Sequence, residues 1–593
     1  MRRLFCVLVF IVFNFPIAQG STVGQEFVTG CLGHSSGSLL KIDIASYTNT
    51  SGHVHIYIPY LGINTTSPFN KTFSLALDRS IALDGTRIEN RGVFIKSDKD
   101  ISVYATSSLP SSGLRYYSDT YVVIPIDSLG NKYEIASYDP NASTSYPSVF
   151  MVIAAFDNTL INVTFPNGTS ISKTINWLNV YQEASPSTDL TGTIVQSTKP
   201  VSVLSGASYS KVASQGSSYD MLGEQLLPVN SYETYFIVPP IYSSYSFIVR
   251  MFSNQIPNRI CVKDESIENC TMVGPTKWIE SAPKSTALIV TSQEPISVVQ
   301  YKAGANYYYM TNIPGLRQFI NSYAFVVPDV YSSQTTYIAV TIRSSAIHTL
   351  RLDGSSPVNQ IVHKANVPAP LNEYMVLTYT ITPGYHVMNS NETNVLFGLL
   401  SFGFVSTTET AFASPVGMLM RSDIRVMCYN CDDMSDLELC DTVQRCAPGQ
   451  LCLVQQGVSQ YSSGCANMSL CVNAKHSHGH CMECCDGDFC NGHGCGDNGL
   501  VPRSQRGPMC YDCNHVLKPD LCKNVRPCFE DELCSIEEFD WLGHSHFKLG
   551  CVAASCSAID HHRSVPRCKS CCSEDFCNTN CTMSHNHGAS IIG

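Results

Sequence analysis

Apolar and polar residues alternate along most of the first 420 positions. Lys41-Ile42-Asp43-Ile44 and His53-Val54-His55-Ile56-Tyr57-Ile58 have period two, which turns one face of a strand to a core and the other to solvent. Tyr121 to Ile126 and Phe236 to Val238 are continuously apolar and β-branched, as buried strands are. No segment carries the 3.6-residue period of a long amphipathic helix, so the pattern predicts an all-β protein.

The pattern repeats at about 100 residues. Ile95-x-Ser97-x-x-x-Ile101-Ser-Val103 recurs as Val195-x-Ser197-x-x-x-Val201-Ser-Val203 and as Val290-x-Ser292-x-x-x-Ile296-Ser-Val298, with a degraded fourth copy around Ser390 to Leu396. Each reads as a strand, a short polar turn and a second strand, with Pro200 and Pro295 in two of the turns. Linked to them are Pro125 to Ile135, Pro228 to Ile237 and Pro314 to Val326, where a proline-led turn precedes a strand bearing Tyr133, Tyr235 or Tyr323. Residues 21–420 are therefore expected to hold three or four sandwich-like β modules. A propeller would need blades of about 40 residues, a period the sequence lacks.

Composition narrows the class. At 593 residues the chain exceeds one hydrophobic core. Its 14% of charged residues and 44% of hydrophobic ones suit folded extracellular protein, and a net charge of −11 disfavours nucleic acid as a partner. Residues 1–20, MRRLFCVLVFIVFNFPIAQG, read as a signal peptide with cleavage after Gly20. No later segment approaches the ~20 apolar residues of a transmembrane helix, so a secreted, extracellular protein is expected. Ten N-glycosylation sequons, at Asn49, Asn64, Asn70, Asn141, Asn162, Asn167, Asn269, Asn391, Asn467 and Asn580, fit that route.

An oxidising compartment turns cysteines into disulfides. Twenty-four of the 28 lie between residues 428 and 581, in two series of twelve. Two domains are expected, 427–497 and 509–582, with a linker at 498–508 and a polar tail at 583–593. Each is too small for a generous core and compensates with cross-links. Cys261 and Cys270 have the spacing of a hairpin disulfide. Removal of Cys6 with the signal leaves an odd number, and Cys31 is the leftover: it reads either as a link in a covalent dimer or as a buried thiol.

Two resemblances add to this reading. RGVFIKSDKDISVYATSS, SDTYVVIPIDSLGNKYEIASY, DLTGTIVQSTKPVSVLSG and GEQLLPVNSYETYFIVPP resemble the N-terminal domain of the IgGFc-binding protein family over about residues 70–335. That resemblance implies an extracellular, mucus- or matrix-associated binding protein and no enzyme. Vertebrate members continue into von Willebrand type D modules, whereas here the following domains differ. Cys428-x-x-Cys431 through Cys484-Cys485-x4-Cys490-Asn491, repeated from Cys510 to Cys577-Asn578, resembles the three-finger domain of the urokinase receptor and lymphocyte antigen-6 family. It implies the pairs Cys428–Cys452, Cys431–Cys440, Cys446–Cys465, Cys471–Cys484 and Cys485–Cys490, then Cys510–Cys534, Cys513–Cys522, Cys528–Cys551, Cys556–Cys571 and Cys572–Cys577. It also implies that Asn491 and Asn578 bond into the knot. Both copies depart from the family by two cysteines. Since both members recur in each copy, Cys481–Cys495 and Cys568–Cys581 are expected, with a reshuffle among neighbours such as Cys481 and Cys484 left open.

Candidate chemistry is sparse. Gly33-His34-Ser35-Ser36-Gly37 matches a hydrolase nucleophile motif, but the strand pattern SLLKIDIASY follows where the motif needs a helix, so no catalytic residue is assigned. His476, His478 and His480 are weak metal candidates beside the simpler reading of a solvated loop, and no cofactor motif occurs. Trp541, with Phe539 and Phe547, lies in the longer second finger of the second copy and is a candidate partner anchor, or else packs back on the knot. Arg503-Ser-Gln-Arg506 is a weak candidate processing site. The expected function is binding of an extracellular protein or glycan in adhesion, mucosal or innate-defence settings. The alternative is a disulfide-linked structural component of mucus, matrix or a secreted coating.

Overall fold

The computed structural model describes residues 21–32, 39–110, 116–140, 146–213, 219–242, 245–254, 257–274, 278–304, 306–329, 334–393, 395–405, 410–420, 426–446, 450–457, 460–467, 470–471, 481–485, 488–501, 505–541, 544–554, 556 and 566–581. Their regular structure is almost wholly β, and the chain divides into two units, 1–422 and 423–593.

In the first unit the repeat motif forms one long strand instead of a strand, a turn and another strand. Val93–Pro110, Ile194–Ser210 and Leu288–Lys302 each run unbroken through the motif. Their two halves serve different partners: in Ile194–Ser210, Ile194–Ser197 pairs with Thr159–Thr164, and Val201–Ala207 pairs with Ser148–Ala154. The polar residues and Pro200 mark the point where the strand changes partners within its eight-stranded sheet, and there register slips between Gln196 and Val201. Only the fourth copy breaks there. Gly384–Ser390 and Gly398–Val405 lie in separate sheets of three and five strands.

The proline-led turns are single 3-10 turns, Ile126–Ser128, Val229–Ser231 and Leu316–Gln318. The first and third aim their tyrosines at a bend. The buried Tyr133 hydroxyl donates to the Val201 carbonyl at 2.7 Å, just past Pro200, and Tyr323 donates to the Phe397 carbonyl at the break in the fourth copy. The apolar clusters cross module boundaries: that around Phe27 and Ile42 includes Met151 and Leu204, and that around Ile338 and Tyr379 includes Tyr104 and Val122. The fourth module closes on the first, because Thr22 N donates to Met418 O and Met418 N to Thr22 Oγ1, both at 2.9 Å.

Each long strand, and Gly398–Val405 in the fourth module, leads into a hairpin whose return strand pairs on one side only: Tyr116–Val123, Asp220–Gln225, Met310–Asn312 and Thr410–Pro415. These four strands meet in the interior, and side chains satisfy the backbone N–H groups that pairing leaves open. Asp119 Oδ1 accepts from Thr120 N at 3.0 Å and Ala413 N at 3.3 Å; Oδ2 accepts from Gly223 N at 3.1 Å and Met310 N at 3.0 Å. One carboxylate thus binds all four strands. Asp220 accepts from Thr410 Oγ1, Met221 N and Ala411 N, and Glu224 from Gln225 N and Asn312 N. Burial pushes all three carboxyls well above the usual carboxylate range, and these donors act in the opposite direction.

In the second unit each cysteine-rich copy has a two-stranded and a four-stranded antiparallel sheet. The first copy orders its larger sheet Cys431–Met434, Tyr461–Asn467, Gln450–Gln456, Cys481–Cys485; the second orders Cys513–Val516, His544–Ala553, Glu532–Trp541, Cys568–Cys572.

Replacing Asp119 with Ala strands four buried N–H groups, so Asp119→Ala is expected to lower the unfolding free energy by at least ~3 kcal/mol. Urea unfolding reads this, with the exposed Asp84→Ala as a control expected within about 0.5 kcal/mol of wild type. Equal midpoints for the two variants would remove Asp119 as the tie between modules.

Candidate functional site

Ser118 N donates to Thr410 Oγ1, Thr410 Oγ1 to Asp220, and Met310 N to Asp119, which brings the starts of the four return strands together, so the four hairpins emerge at one end of the first unit. Aromatic side chains gather there in two groups. Tyr209 stacks on Tyr219 with centroids 4.6 Å apart, Tyr117 and Tyr146 pack on Tyr209 at 4.9 and 5.0 Å, and Lys211 Nζ lies 4.4 Å from the Tyr219 ring. Tyr307 of the third hairpin and Tyr245, just before strand Phe247–Ser253, flank Phe404 of the fourth hairpin at 5.9 and 5.2 Å, and a small cavity lined by Pro239, Pro240, Tyr309 and Phe402 lies nearby. Lys302 is buried beneath this group, 4.5 Å from the Tyr245 ring, and donates to the Asn306 carbonyl. Burial lowers its ammonium to about 8, opposed by Asp220. Half-buried tyrosines with a cation offer stacking area, hydroxyl hydrogen bonds and cation–π contact on a rigid base. The sequence signal that could have found them is the run of aromatics flanking the hairpins, at Tyr209 and Tyr219 and again at Tyr307 and Phe404.

In the second unit the sulfurs join Cys428–Cys452, Cys431–Cys440, Cys446–Cys465, Cys471–Cys484, Cys481–Cys495 and Cys485–Cys490. In the second copy they join Cys510–Cys534, Cys513–Cys522, Cys528–Cys551, Cys556–Cys571, Cys568–Cys581 and Cys572–Cys577. The buried Asn491 accepts from Tyr429 N and donates to the Tyr429 and Leu453 carbonyls at 2.9 and 3.0 Å. Asn578 does the same with Tyr511 and Ser535. Each amide thus ties the first strand of its copy to the middle of the larger sheet.

The two copies pair with each other about a local twofold. Val443 N donates to Lys523 O and Val525 N to Asp441 O, both at 2.8 Å, with Thr442 opposite Asn524. Each position on one side is the repeat equivalent of its counterpart, as in a twofold interface between identical subunits. At its centre Phe489 stacks on Phe576, centroids 3.6 Å apart and planes 8° from parallel. Both phenylalanines hold φ near +58°, at 59° and 57°, a region bulky side chains avoid, so the surrounding contacts fix them there.

The other candidates fall as follows. Cys261 and Cys270 are bonded across neighbouring strands. Cys31 is 2% exposed, and burial pushes its thiol up to about 12. Of the two readings of Cys31 this favours the buried thiol over a link to another chain, since its thiolate is disfavoured. Asn49, Asn64, Asn70, Asn162, Asn167, Asn269, Asn391 and Asn580 are exposed. Asn141, the side chain of Asn467, residues 1–20, Gly33 to Gly37, and His476, His478 and His480 lie outside the described residues. Phe547 packs against the core that the two copies share, which argues against its role as a free anchor, whereas Phe539 sits half-buried opposite His546. Trp541 ends its strand opposite His544, and its side chain lies outside the described residues. Arg506 forms a two-point pair with Asp575 at 2.9 and 2.7 Å, so its side chain is engaged and not free in an open linker.

Among known proteins, residues 119–403 match the family model described as IgGFc binding protein. The chain is 25% identical over 412 residues to the human IgGFc-binding protein, covering 65% of this chain and 7% of that protein. The chain therefore spans a small fraction of the relative's length. Among solved structures, a bacterial ice-binding adhesin aligns with TM-score 0.09 at 11% identity, covering 47% of this chain and 91% of the other. The major pilin of Streptococcus pyogenes aligns with TM-score 0.12 at 8% identity, covering 67% and 99%. Scores this low carry no argument about fold.

If the phenylalanine stack joins the two copies, Phe489→Ala and Phe576→Ala will be coupled. A double-mutant cycle in denaturant unfolding is expected to give an interaction energy of about 0.5–1.5 kcal/mol, and additive effects would show that the rings do not hold the pair together.

Proposed function

We propose that this chain is a secreted, glycosylated binding protein that recognises extracellular protein or glycan partners in a mucosal, adhesive or innate-defence setting. The observation that carries the reading is the match of residues 119–403 to the IgGFc binding protein family, on a chain that also holds 13 disulfides among the described residues. Cystines in that number persist in oxidising compartments. The Fc specificity in the human relative's name is not transferred, because this chain covers 7% of that protein.

Residues 427–497 and 509–582 act in this reading as three-finger domains of the urokinase receptor and lymphocyte antigen-6 type. Support comes from the bonded pairs, from the strand order of the larger sheets and from the bonds of Asn491 and Asn578. The molecule then has two binding faces: the tyrosine-rich hairpin end of the first unit, and the long hairpin Glu532–Ala553 of the second. Burial of Cys31 argues against a polymer linked through it.

Crosslinking capture from native extracellular fluid with the whole chain as bait tests the reading. Tyr219→Ala and Trp541→Ala probe the two faces. At least one is expected to weaken the captured interaction tenfold or more, about 1.4 kcal/mol, with the thermal midpoint unchanged. A partner held equally by wild type and both variants would move the site elsewhere on the molecule.

A further inference from the structure

The edges of the sheets single out one glycan acceptor. An edge strand presents unpaired backbone N–H and C=O groups and is a template for association unless charge, proline or a covering group blocks it. Strand Ser170–Ile175 ends its sheet and carries Lys173; strand Ile361–Asn366 ends another and carries His363 and Lys364. Strand Glu268–Val273, ENCTMV, ends the third module's sheet and pairs only with Asn258–Lys263. Past its first residue it holds no charge and no proline, and five of its six residues are exposed. Two large apolar side chains stand in solvent beside it, Ile267 at 56% and Met272 at 58% exposure. A disulfide from Cys261 to Cys270 keeps the hairpin rigid, so this bare edge cannot twist away.

We infer that an N-linked glycan on Asn269 covers this edge and keeps the third module from pairing edge to edge with a second copy. Asn269-Cys270-Thr271 is the acceptor sequence inside the bare strand. Asn269 is exposed and stands opposite Val262. Ile267 precedes it by two residues, on the same face, and Met272 follows by three, roughly 10 Å along the strand, both within the reach of a branched glycan. The other acceptors within described strands lie elsewhere: Asn162 on Thr159–Thr164 and Asn467 on Tyr461–Asn467 are in strands paired on both sides, and Asn64 and Asn70 lie on Ile63–Asn70, which pairs along its length with Ser51–Ile58, meets its other neighbour only at Asn70 and carries Pro68. Asn269 thus supplies by modification what lysines supply on Ser170–Ile175 and Ile361–Asn366.

The inference rests on passage through the secretory pathway, and the experiment separates the two. The full chain is produced in secretory eukaryotic cells, each acceptor is examined by site-resolved mass spectrometry, and association is followed by sedimentation velocity. Asn269 is expected to be occupied in wild type, which stays monomeric. Asn269→Gln and Thr271→Ala lose that one glycan and gain concentration-dependent dimers, Thr271→Ser keeps both glycan and monomer, and Met272→Lys added to Asn269→Gln restores the monomer. Enzymatic removal of glycans from the folded wild type gives the same dimers with no substitution, so a variant that fails to fold does not decide the question. Occupied acceptors elsewhere with a bare Asn269 overturn the inference alone, as does a deglycosylated protein that remains monomeric. Bare asparagines at every acceptor overturn both it and the secretory reading.

Discussion

The first unit depends on how its interior edge backbone is satisfied. Four return strands each pair on one side only, and their other sides turn inward, where water cannot bond them. An unpaired buried N–H costs about 1–3 kcal/mol, and a shared centre would strand several. Carboxylates solve the problem because two oxygens accept up to four donors from directions that a fifth strand could not reach together. Asp119 does this for all four modules at once. The arrangement makes the modules interdependent: a module excised alone would expose both its centre-facing strand and a core shared with its neighbour.

The second unit faces the opposite shortage. Its domains are too small to bury much, and six cystines apiece hold loops that packing could not. What packing remains is concentrated between the copies, where Met427, Tyr429 and Val443 of one meet Met509, Tyr511 and Val525 of the other in a single core. Pairing about a local twofold uses the same patch twice, so the duplication that produced two domains also produced their interface. The backbone pairing closes on itself, the bases of both second hairpins pack into the shared core through Val454, Ile536 and Leu549, and the second copy's hairpin is the longer, Glu532–Ala553 against Gln450–Asn467.

Much of this was legible along the chain. Strand content follows from alternation, which is local, and the modular repeat from Ser97, Ser197 and Ser292 at similar offsets. The cysteine spacing announced a cross-linked tandem pair. The bend was misread because a serine, two polar residues and a proline suit a tight turn as well as a change of partners within a strand, and only the long-range pairing of Ile194–Ser197 and Val201–Ala207 with different strands separates the two. Asp119 was invisible for a related reason: alternation places it on the face of Tyr121 and Val123, but nothing local reveals three other backbones converging on it. The Phe489 and Phe576 contact had a signal in the repeated Asp-Phe-Cys-Asn, since an aromatic beside a cystine knot in both copies needs something apolar to cover it.

Burial and recognition are therefore kept apart in this chain. The acidic side chains that hold the first unit together sit inside and are taken up by backbone N–H groups and Thr410, so they contribute no specificity to a partner. Contact chemistry at the hairpin end is left to tyrosines, which give large area for little lost side-chain freedom and bond through a single hydroxyl. Tyr209 and Tyr219 on one side and Tyr245 and Tyr307 on the other rest on strands that the buried acids fix, so a partner meets a surface already ordered and the entropy of forming it has been met in folding. A face of this kind can change its aromatic tips without disturbing Asp119, and this separation lets one scaffold serve different ligands.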